Sequence, residues 1–518
     1  MTATSAPSGA DAPSGADAPA GAGPVDEQRA YRALASRDRR FDGRLWFGVT
    51  STGIYCRPVC PARTPRPENV RVFAAPAAAV AAGFRACRRC RPDAAPGTRD
   101  WDHRGDLAGR AVRLIAAGAV DEDGVAGLAR RLHVSERHLH RTLVAEVGAG
   151  PLQLAMSRRA QTARLLVDQT DLPLVDVAFA AGFASLRQFN DVMRREFGMP
   201  PSRLRRTAQE PDGRAPASDG GRVVLRLRRR LPYDTDALLQ HLAGREVEGL
   251  ERVDGTAGEV VRSLRSDGAE PAVLRVSVPR EGDHVTVVLA GAGLDRVAPV
   301  VAGVRRWLDL DADPEMVADV LGRDPVLAAL VTRRPGLRVP GTVDPWEVAV
   351  RAVVGQRVSV AAARRVLARL VAAHGAPVAG PDGLTAMPGP EALAAADPAD
   401  VARAGLPAAR AAALVALATA VADGSVVLDP AGDRDAVRQA LLAVPGIGPW
   451  TADYVALRGL GDPDAFPATD LGLRRAAAGL GLDPDRLADR AARWSPWRAY
   501  AAEHLWTHDR ESREDTRP

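Results

Sequence analysis

Four cysteines near the beginning of the chain are the side chains in this sequence best suited to chemistry. They form two closely spaced pairs, Cys56 with Cys60 and Cys87 with Cys90, and 26 residues separate the pairs. Two such pairs across a loop-length gap can close a tetrahedral zinc site of four thiolates. A purely structural zinc clip has the same spacing. A disulfide pair is less favoured, because nothing else in the sequence indicates an oxidising compartment.

The sequence around the four cysteines is strongly cationic. Six arginines accompany them: Arg57, Arg63, Arg85, Arg88, Arg89 and Arg91. Cationic neighbours keep thiolates deprotonated and also attract phosphate. We therefore expect these cysteines to form one zinc site that can meet a nucleic-acid backbone, and not merely a clip.

Composition restricts the chemistry further. The 518 residues carry a net charge of +5, and all 69 basic residues are arginine. Arginine suits phosphate and base edges, although high-GC codon usage accounts for the bias equally well. A chain without lysine cannot form a lysine Schiff base. No apolar run reaches the ~20 residues of a membrane span, and the N-terminal segment lacks the features of a signal peptide. We predict a cytoplasmic, nucleoid-associated monomer without membrane contact.

Length and patterning predict a multidomain, mainly α-helical protein. We place a disordered tail at 1–25, a small α+β four-cysteine zinc domain at 26–100, an all-α double helix-turn-helix domain at 101–206, a linker at 207–221, an α+β subdomain at 222–297, an all-α helix-hairpin-helix domain at 298–508 and a tail at 509–518. Alternating apolar residues predict strands at 45–50, 223–227, 273–278 and 285–289, with a helix near 234–242.

Two segments about 50 residues apart have the pattern of a helix-turn-helix unit. They span 125–148 and 174–198, and in each a serine, Ser135 or Ser185, stands where it can cap the second helix. A generic helix pair explains either segment alone, but the repetition is more specific. The second helices offer DNA the side chains of Arg137, His138, Arg141, Arg187, Gln188, Asn190 and Arg194.

The helix-turn-helix region and the cysteine region each resemble a known family. Residues 107–206, which include the ending MPPSRLRR, resemble the AraC/XylS-type DNA-binding domain. The segments STGIYCRPVCPAR, RPENVRVF and AAGFRACRRCRPD look like the N-terminal domain of the Ada adaptive-response family. That resemblance implies that Cys56, Cys60, Cys87 and Cys90 bind one Zn²⁺ and that Cys56 accepts a methyl group from a DNA methylphosphotriester. Methylation removes one negative charge from the site, which implies tighter DNA binding and transcription activation, with RNA polymerase as a partner. No cysteine follows Cys90, so we do not expect that family's alkylguanine transfer.

The segment LLAVPGIGPWTADYVALRG, residues 441–459, predicts a helix-hairpin-helix. Its Gly446 and Gly448 let backbone N–H groups approach a DNA phosphate without reading sequence. A lone PGIG is also compatible with an ordinary tight turn. Asp470 follows the segment by eleven residues, and a hairpin with a downstream aspartate is the signature of the helix-hairpin-helix DNA glycosylases.

The whole region 222–508 resembles 3-methyladenine DNA glycosylase II, the AlkA type. The supporting segments are RPGLRVPGTVDPWEVAVRAVVGQRVSV, LAAADPADVARAGLP and ARWSPWRAYAAEHLW. The resemblance implies hydrolytic release of alkylated bases from double-stranded DNA without an organic cofactor. It makes Asp470 the catalytic carboxylate and assigns further roles: base pocket to Trp450, Tyr454 and Trp497, DNA contact to Gly446, Gly448, Thr451, Gln356 and Arg357, and a hairpin-bound monovalent cation to the carbonyls of Leu442, Val444 and Gly446.

Two positions depart from patterns of these enzymes. Arg357 stands where the family inserts a leucine into the gap left by a flipped base, although an arginine can also fill and stack there. Trp450 stands where bifunctional relatives have the lysine that cleaves the backbone, so we expect a monofunctional enzyme. The alternative is a regulatory protein whose glycosylase half only binds DNA.

Overall fold

The computed structural model describes residues 27–37, 45–60, 62–73, 76–87, 89–90, 92, 103–208, 222–265 and 270–515. The chain divides into two compact units, residues 1–106 and 107–518. The tail at 1–25, nearly all of the 207–221 linker, and Arg88 and Arg91 lie outside the described residues. No helix in the described part of the chain is long and apolar enough to cross a membrane.

The first unit is a four-stranded sheet with two short helices. The sheet order is β3-β1-β2-β4; β1 pairs antiparallel with β2 and β3, and β4 joins β2 in parallel. The ring of Phe84 packs edge to face on Phe73, and a side chain at Gly48 would collide with both rings. The elements are α1 (Glu27–Ala35), β1 (Trp46–Val49), β2 (Ile54–Cys56), β3 (Val70–Phe73), α2 (Pro76–Ala81) and β4 (Arg85–Ala86).

The second unit begins with seven helices, and both expected helix-turn-helix units are present. Ser135 accepts the His138 N–H at 3.3 Å, and Ser185 accepts the Gln188 N–H at 3.2 Å, so the predicted N-caps are confirmed. The helices are α3 (His103–Ala117), α4 (Ala119–Arg131), α5 (Glu136–Val147), α6 (Pro151–Gln169), α7 (Leu174–Ala180), α8 (Leu186–Phe197) and α9 (Pro201–Ala208).

A five-stranded antiparallel sheet follows, in the order β5-β9-β8-β7-β6. Three of its strands and its helix lie where the alternation predicted them, but β6 and β7 were not predicted. The elements are β5 (Arg222–Arg228), α10 (Thr235–Ala243), β6 (Glu251–Asp254), β7 (Glu259–Leu264), β8 (Ala272–Ser277) and β9 (His284–Ala290).

The remainder of the second unit is helical apart from one two-residue strand pair. Its helices are α11 (Val297–Trp307), α12 (Pro314–Leu321), α13 (Pro325–Arg333), α14 (Pro345–Val354), α15 (Val360–His374), α16 (Pro390–Ala394), α17 (Pro398–Ala402), α18 (Ala408–Ala422), α19 (Arg434–Ala443), α20 (Pro449–Tyr454), α21 (Leu471–Gly479), α22 (Leu487–Ala491) and α23 (Arg498–Asp515), and its strands are β10 (Ala376–Pro377) and β11 (Thr385–Ala386). A π-helical turn, Val455–Gly459, continues α20.

The helix-turn-helix module and the following domain pack against each other within this unit. One apolar core contains residues of α6 to α9 together with residues of β5 and β7 to β9. The side-chain amide of Gln169 bonds both backbone groups of Arg226 on the edge strand β5, accepting its N–H at 2.6 Å and donating to its carbonyl at 3.1 Å. Arg110 on α3 pairs with Asp433 at 3.2 Å. The two modules are therefore docked, not merely tethered.

Candidate functional sites

The four cysteines form one buried cluster. Their sulfurs all lie within 4.8 Å of one another, and none of the four residues is more than 8% exposed. The strand β2 carries Cys56 directly beside the loop that carries Cys60. The parallel strand β4 brings Cys87 and Cys90 to the same end of the sheet. The fold thus unites the two predicted pairs.

The donor set fits a zinc ion. Zinc–sulfur bonds of about 2.3 Å in a tetrahedron separate the sulfurs by a little less than 4 Å, and Cys60 Sγ lies 3.9 Å from Cys87 Sγ. The hydrogen bond to Cys60 and burial raise the pKa of Cys56, while the bonds from Cys56 and Cys90 lower the pKa of Cys60 to about 2. Four sulfurs this close cannot all ionise unless a cation lies between them.

The four sulfurs differ in their hydrogen bonds. The backbone N–H of Arg57 donates to Cys90 Sγ at 3.4 Å. The contacts described for Cys56 are with the sulfurs of Cys60 and Cys90. An N–H bond withdraws electron density from a thiolate and lowers its nucleophilicity. Among the described residues, the N–H bond makes Cys90 less suited to act as a nucleophile than Cys56, and the role of Cys56 as methyl acceptor stays a prediction.

A cavity of about 450 Å³ opens beside this cluster. The sulfurs of Cys56, Cys60 and Cys87 contribute to its wall, and the rest is mainly apolar, including Phe47 and Ile54. Three exposed arginines also line it: Arg63, Arg85 and Arg89. Arg57 is different, since it is buried and donates to the Cys90 carbonyl at 3.2 Å. The cavity combines apolar space, thiols and cationic side chains around one sulfur cluster.

The second helices of both helix-turn-helix units present basic residues to solvent. Arg137, Arg141, Arg187 and Arg194 are exposed. The other three side chains predicted to contact DNA are half-buried, and each also interacts within the module. His138 lies 3.2 Å from Arg141, Gln188 accepts the Ala184 N–H at 3.4 Å, and Asn190 donates to the Leu186 carbonyl at 2.8 Å. DNA contact by these seven side chains stays a prediction.

The predicted hairpin joins α19 to α20. Gly446 has φ +86°, and a Cβ there would lie 2.5 Å from Ala413 Cβ, so only glycine fits. Gly448 begins α20 as its N-cap. Thr451, predicted to contact DNA, is buried, and its hydroxyl accepts a bond from Gln356 at 3.0 Å. The Thr451 side chain therefore supports the hairpin from inside.

The loop before α15 is tied to this hairpin. The amide of Gln356 donates to the Gly446 carbonyl at 3.2 Å as well as to Thr451. The next residue, Arg357, is exposed and has φ +53°. A non-glycine residue in the left-handed region stores strain of about 1–2 kcal/mol, which is typical of functional loops. The Gln356 bonds thus anchor a strained loop whose tip points a guanidinium-bearing residue to solvent.

Asp470 is the N-cap of α21. Its Oδ1 accepts the N–H groups of Gly472 and Leu473 at 2.8 and 3.0 Å. Trp450 Nε1 donates to Oδ2 at 2.9 Å, and Trp506 Nε1 donates to Oδ1 at 2.8 Å. Four N–H donors, two at the helix N-terminus and two indoles, thus fix the orientation of this side chain. Asp470 is half-buried and therefore stays accessible.

Aromatic rings surround this carboxylate. Trp450 and Tyr454 stack with centroids 5.3 Å apart, and Trp506 lies edge-on to Tyr454 at 6.3 Å. Trp506 is not among the residues that the family resemblance assigns to the base pocket. The resemblance assigns Trp497, whose ring packs edge to face on Tyr500 at 5.5 Å. The contact with Asp470 is made by Trp506, and a pocket role for Trp497 stays a prediction.

A carboxylate beside electron-rich rings, a glycine hairpin and an arginine-tipped loop are the features expected of a helix-hairpin-helix DNA glycosylase. Four family models match the chain: "Metal binding domain of Ada" over 29–93, "Helix-turn-helix domain" over 128–207, "AlkA N-terminal domain" over 224–344, and "HhH-GPD superfamily base excision DNA repair protein" over 350–498. These matches cover the zinc, helix-turn-helix, sheet and hairpin domains in the predicted order.

The full length has a relative in Mycobacterium tuberculosis, the "Probable bifunctional transcriptional activator/DNA repair enzyme AlkA", with 49% identity over 93% of this chain and 96% of the relative. This chain belongs to that family. Its second half is 37% identical to the "DNA-3-methyladenine glycosylase 2" of Escherichia coli, over 53% of this chain and 94% of that protein. A solved 3-methyladenine DNA-glycosylase from Archaeoglobus fulgidus shares 22% identity over 55% of this chain and 98% of its own, with a TM-score of 0.49.

Proposed function

We propose that this protein repairs alkylated DNA by two chemistries and couples one of them to transcription. Residues 222–508 would hydrolyse the glycosidic bond of alkylated bases of the 3-methyladenine type. The zinc domain would take methyl groups from phosphotriesters. The observation that carries the first proposal is the placement of Asp470, which two indole N–H groups hold among Trp450, Tyr454 and Trp506.

In the hydrolytic reaction the nucleotide leaves the duplex and its base enters the aromatic site. An alkylated purine is cationic, and each aromatic face attracts it by roughly 0.5–2 kcal/mol. The bond from C1′ to the base nitrogen breaks, the base leaves with the bonding electrons as a neutral molecule, and positive charge develops on the sugar. Asp470 stabilises that charge and orients the water whose oxygen joins C1′, and this water loses one proton to solvent as the new C–O bond forms.

Two finer features accompany this proposal. Trp450 donates its indole N–H to Asp470 where bifunctional relatives have lysine, so strand cleavage through a Schiff base is not expected. The carbonyls of Leu442, Val444 and Gly446 remain candidates for a cation. Val444 and Gly446 each already accept one bond, from Ile447 N–H and from Gln356, which leaves each a second lone pair.

In the transfer reaction the Cys56 thiolate attacks the methyl carbon of a phosphate methyl ester. A carbon–sulfur bond forms, the carbon–oxygen bond breaks, and the DNA regains an anionic phosphodiester. Bound Zn²⁺ would keep the thiolate deprotonated at neutral pH. The exposed Arg63, Arg85 and Arg89 would receive the neighbouring phosphates. The cavity beside Cys56 leaves room for the ester.

Transfer also changes the charge of the domain. Four thiolates around a dication carry a net charge of −2, and conversion of Cys56 to a thioether makes it −1. The domain then repels DNA less, and the helix-turn-helix module can bind a promoter more tightly. Contact with RNA polymerase, a monomeric state and a cytoplasmic, nucleoid-associated location stay predictions.

The glycosylase proposal is tested by release of 3-methyladenine from methylated duplex DNA. Asp470→Asn keeps the helix cap, since asparagine caps as well as aspartate, but removes the charge. We expect release to fall about 10²- to 10³-fold, as for loss of one preorganised electrostatic group, while affinity for an abasic-site duplex persists. Full release by Asp470→Asn would refute the assignment. If the wild type binds such DNA but releases nothing, the second half is a binding module.

A further inference from the structure

A buried arginine lies beside Trp506, one of the two tryptophans that donate to Asp470. Arg458, on the π-helical turn Val455–Gly459, is only 3% exposed. Its guanidinium carbon lies 5.1 Å from the centroid of the Trp506 ring. A guanidinium at this distance over an indole is a cation–π contact, and π-helical turns are frequent at functional sites.

Other groups fix the guanidinium in place. Glu503 on α23 forms a buried ion pair with Arg458 Nη2, and the Pro340 carbonyl accepts from Nη1 at 2.9 Å. Arg458 Nε has no hydrogen-bond partner among the described residues. The guanidinium is thus held by its two terminal nitrogens, with its carbon 5.1 Å from the centroid of the indole.

The charge of this buried group is balanced locally. Burial acts to raise the pKa of Glu503, but the Arg458 charge outweighs it, so the pKa lies well below the ordinary value. His241 lies 3.7 Å from the other Glu503 oxygen, and burial lowers its pKa well below the usual range, so it is neutral at pH 7. Arg458 and Glu503 therefore form a neutral pair, and Asp470 faces no net charge from them.

The Trp506 ring is fixed at three places. Its Nε1 is bonded to Asp470, its edge meets Tyr454, and its face meets Arg458. Rotation of the indole about its side-chain torsions would withdraw the Nε1 donor from the carboxylate. Among the described residues, Arg458 is the only charged side chain stacked on this ring.

We propose that Arg458 is a positioning residue: fixed by Glu503, it holds the Trp506 indole so that Asp470 keeps the orientation needed for base release. The proposal rests on the proposed glycosylase function. Arg458 touches neither base nor sugar in it and acts only through Trp506.

The test uses the full-length protein and a pair of substitutions that preserves folding. Arg458→Met alone would leave Glu503 buried and unpaired, which is strongly destabilising. Arg458→Met with Glu503→Leu replaces the pair by apolar groups, a change that proteins often tolerate. We expect single-turnover release of 3-methyladenine to fall about tenfold, the effect of one lost orienting bond, with unchanged affinity for an abasic-site duplex.

A double-mutant cycle separates positioning from general damage. Trp506→Phe removes the indole donor, so adding the Arg458/Glu503 change to it should reduce release no further. Arg262→Met with Glu347→Leu is the matched control: Arg262 is equally buried, ion-paired with Glu347 and 5.1 Å from the centroid of the Trp307 ring, which has no described contact with Asp470. We expect it to lower stability but not release per folded molecule.

Wild-type rates in the Arg458/Glu503 variant, or effects that add to those of Trp506→Phe, would overturn the proposal. If the wild-type protein released no base, the proposed glycosylase function itself would be refuted. The two failures are therefore distinguishable.

Discussion

Trp506 donates its indole N–H to Asp470 Oδ1 across 2.8 Å, although the two residues are 36 positions apart in the sequence. The bond joins α23, near the end of the described chain, to the N-cap of α21. It closes an aromatic wall around a carboxylate that already accepts two backbone N–H bonds. The orientation of the candidate catalytic group thus depends on a residue far from the hairpin motif.

Substitution of Trp506 should affect base release more than substitution of Trp497. Trp506→Phe keeps an aromatic ring but removes a donor to Asp470, which we expect to reduce release of 3-methyladenine about tenfold. Trp497→Phe removes no contact with Asp470 and should reduce release less. Single-turnover assays on methylated duplex DNA compare the two. A larger loss for Trp497→Phe would favour the original sequence assignment.

Arg357 should act as a filler of the gap left by the flipped base. Arg357→Gly relieves the left-handed strain but removes the filler, so we expect slower base release from a more stable protein. Arg357→Leu should keep the rate of base release. Because one cation is lost, the slope of log DNA affinity against log salt concentration should become smaller by about one. Equal release by wild type and Arg357→Gly would show that the wedge lies elsewhere.

Asp309 should make stability depend on pH in an unusual direction. Burial raises its pKa to about 6, although it accepts bonds from Tyr500 at 2.9 Å and Val339 at 3.1 Å. Between about pH 4 and 6 the unfolded chain ionises this group while the folded protein keeps it protonated. Stability from this group is therefore present at low pH and lost as pH rises, by about 2–3 kcal/mol in total.

Asp309→Asn isolates this effect. Asparagine tolerates the positive φ of 52° at this position, and it does not titrate. Relative to the wild type, the variant should gain stability as pH rises from 4 to 7, measured as the difference between their melting temperatures. If the difference between the two melting temperatures were constant from pH 4 to 7, Asp309 would have the same pKa in the folded and the unfolded state.

The helix-turn-helix module and the glycosylase should remain associated after the connection between them is cut. Their shared core, the Gln169 bonds to Arg226 and the Arg110–Asp433 pair support this. A protease site placed within 209–221 allows cleavage, and the fragments should elute together in gel filtration. Adding Gln169→Ala and Arg110→Ala should weaken the association. Separate elution of the fragments without these changes would contradict docking.

Local patterns predicted much of this architecture. The serine caps of α5 and α8 follow from residue type and position, and the cysteine spacing indicated one cluster. The strand β7 was missed because it does not alternate: its last five residues are all buried, and two of them are polar. The short strand β6 is mostly charged and was missed as well. Arg262 is buried in β7 but pairs with Glu251 and Glu347, so the strand looks half polar in the sequence.

Features that depend on tertiary packing were not predictable. Trp497 and Trp506 lie in one segment, and only the packing of α23 against α21 selects the tryptophan that meets Asp470. The packing of the helix-turn-helix module against the glycosylase was not predictable either, because the sequence of the linker 207–221 indicates only what distance it could span. The burial of Thr451 and its bond from Gln356 were likewise not visible in the sequence, and DNA contact by Thr451 stays a prediction.

The central claim is that one chain carries two separate repair chemistries, and a double-label assay tests it most directly. Duplex DNA labelled by a methylating agent is incubated with purified protein, and label is followed into the protein and into released bases. We predict label in both fractions, loss of protein label alone in Cys56→Ala, and loss of base release alone in Asp470→Asn. Label that stays on Cys56→Ala, or base release that survives Asp470→Asn, would contradict the account.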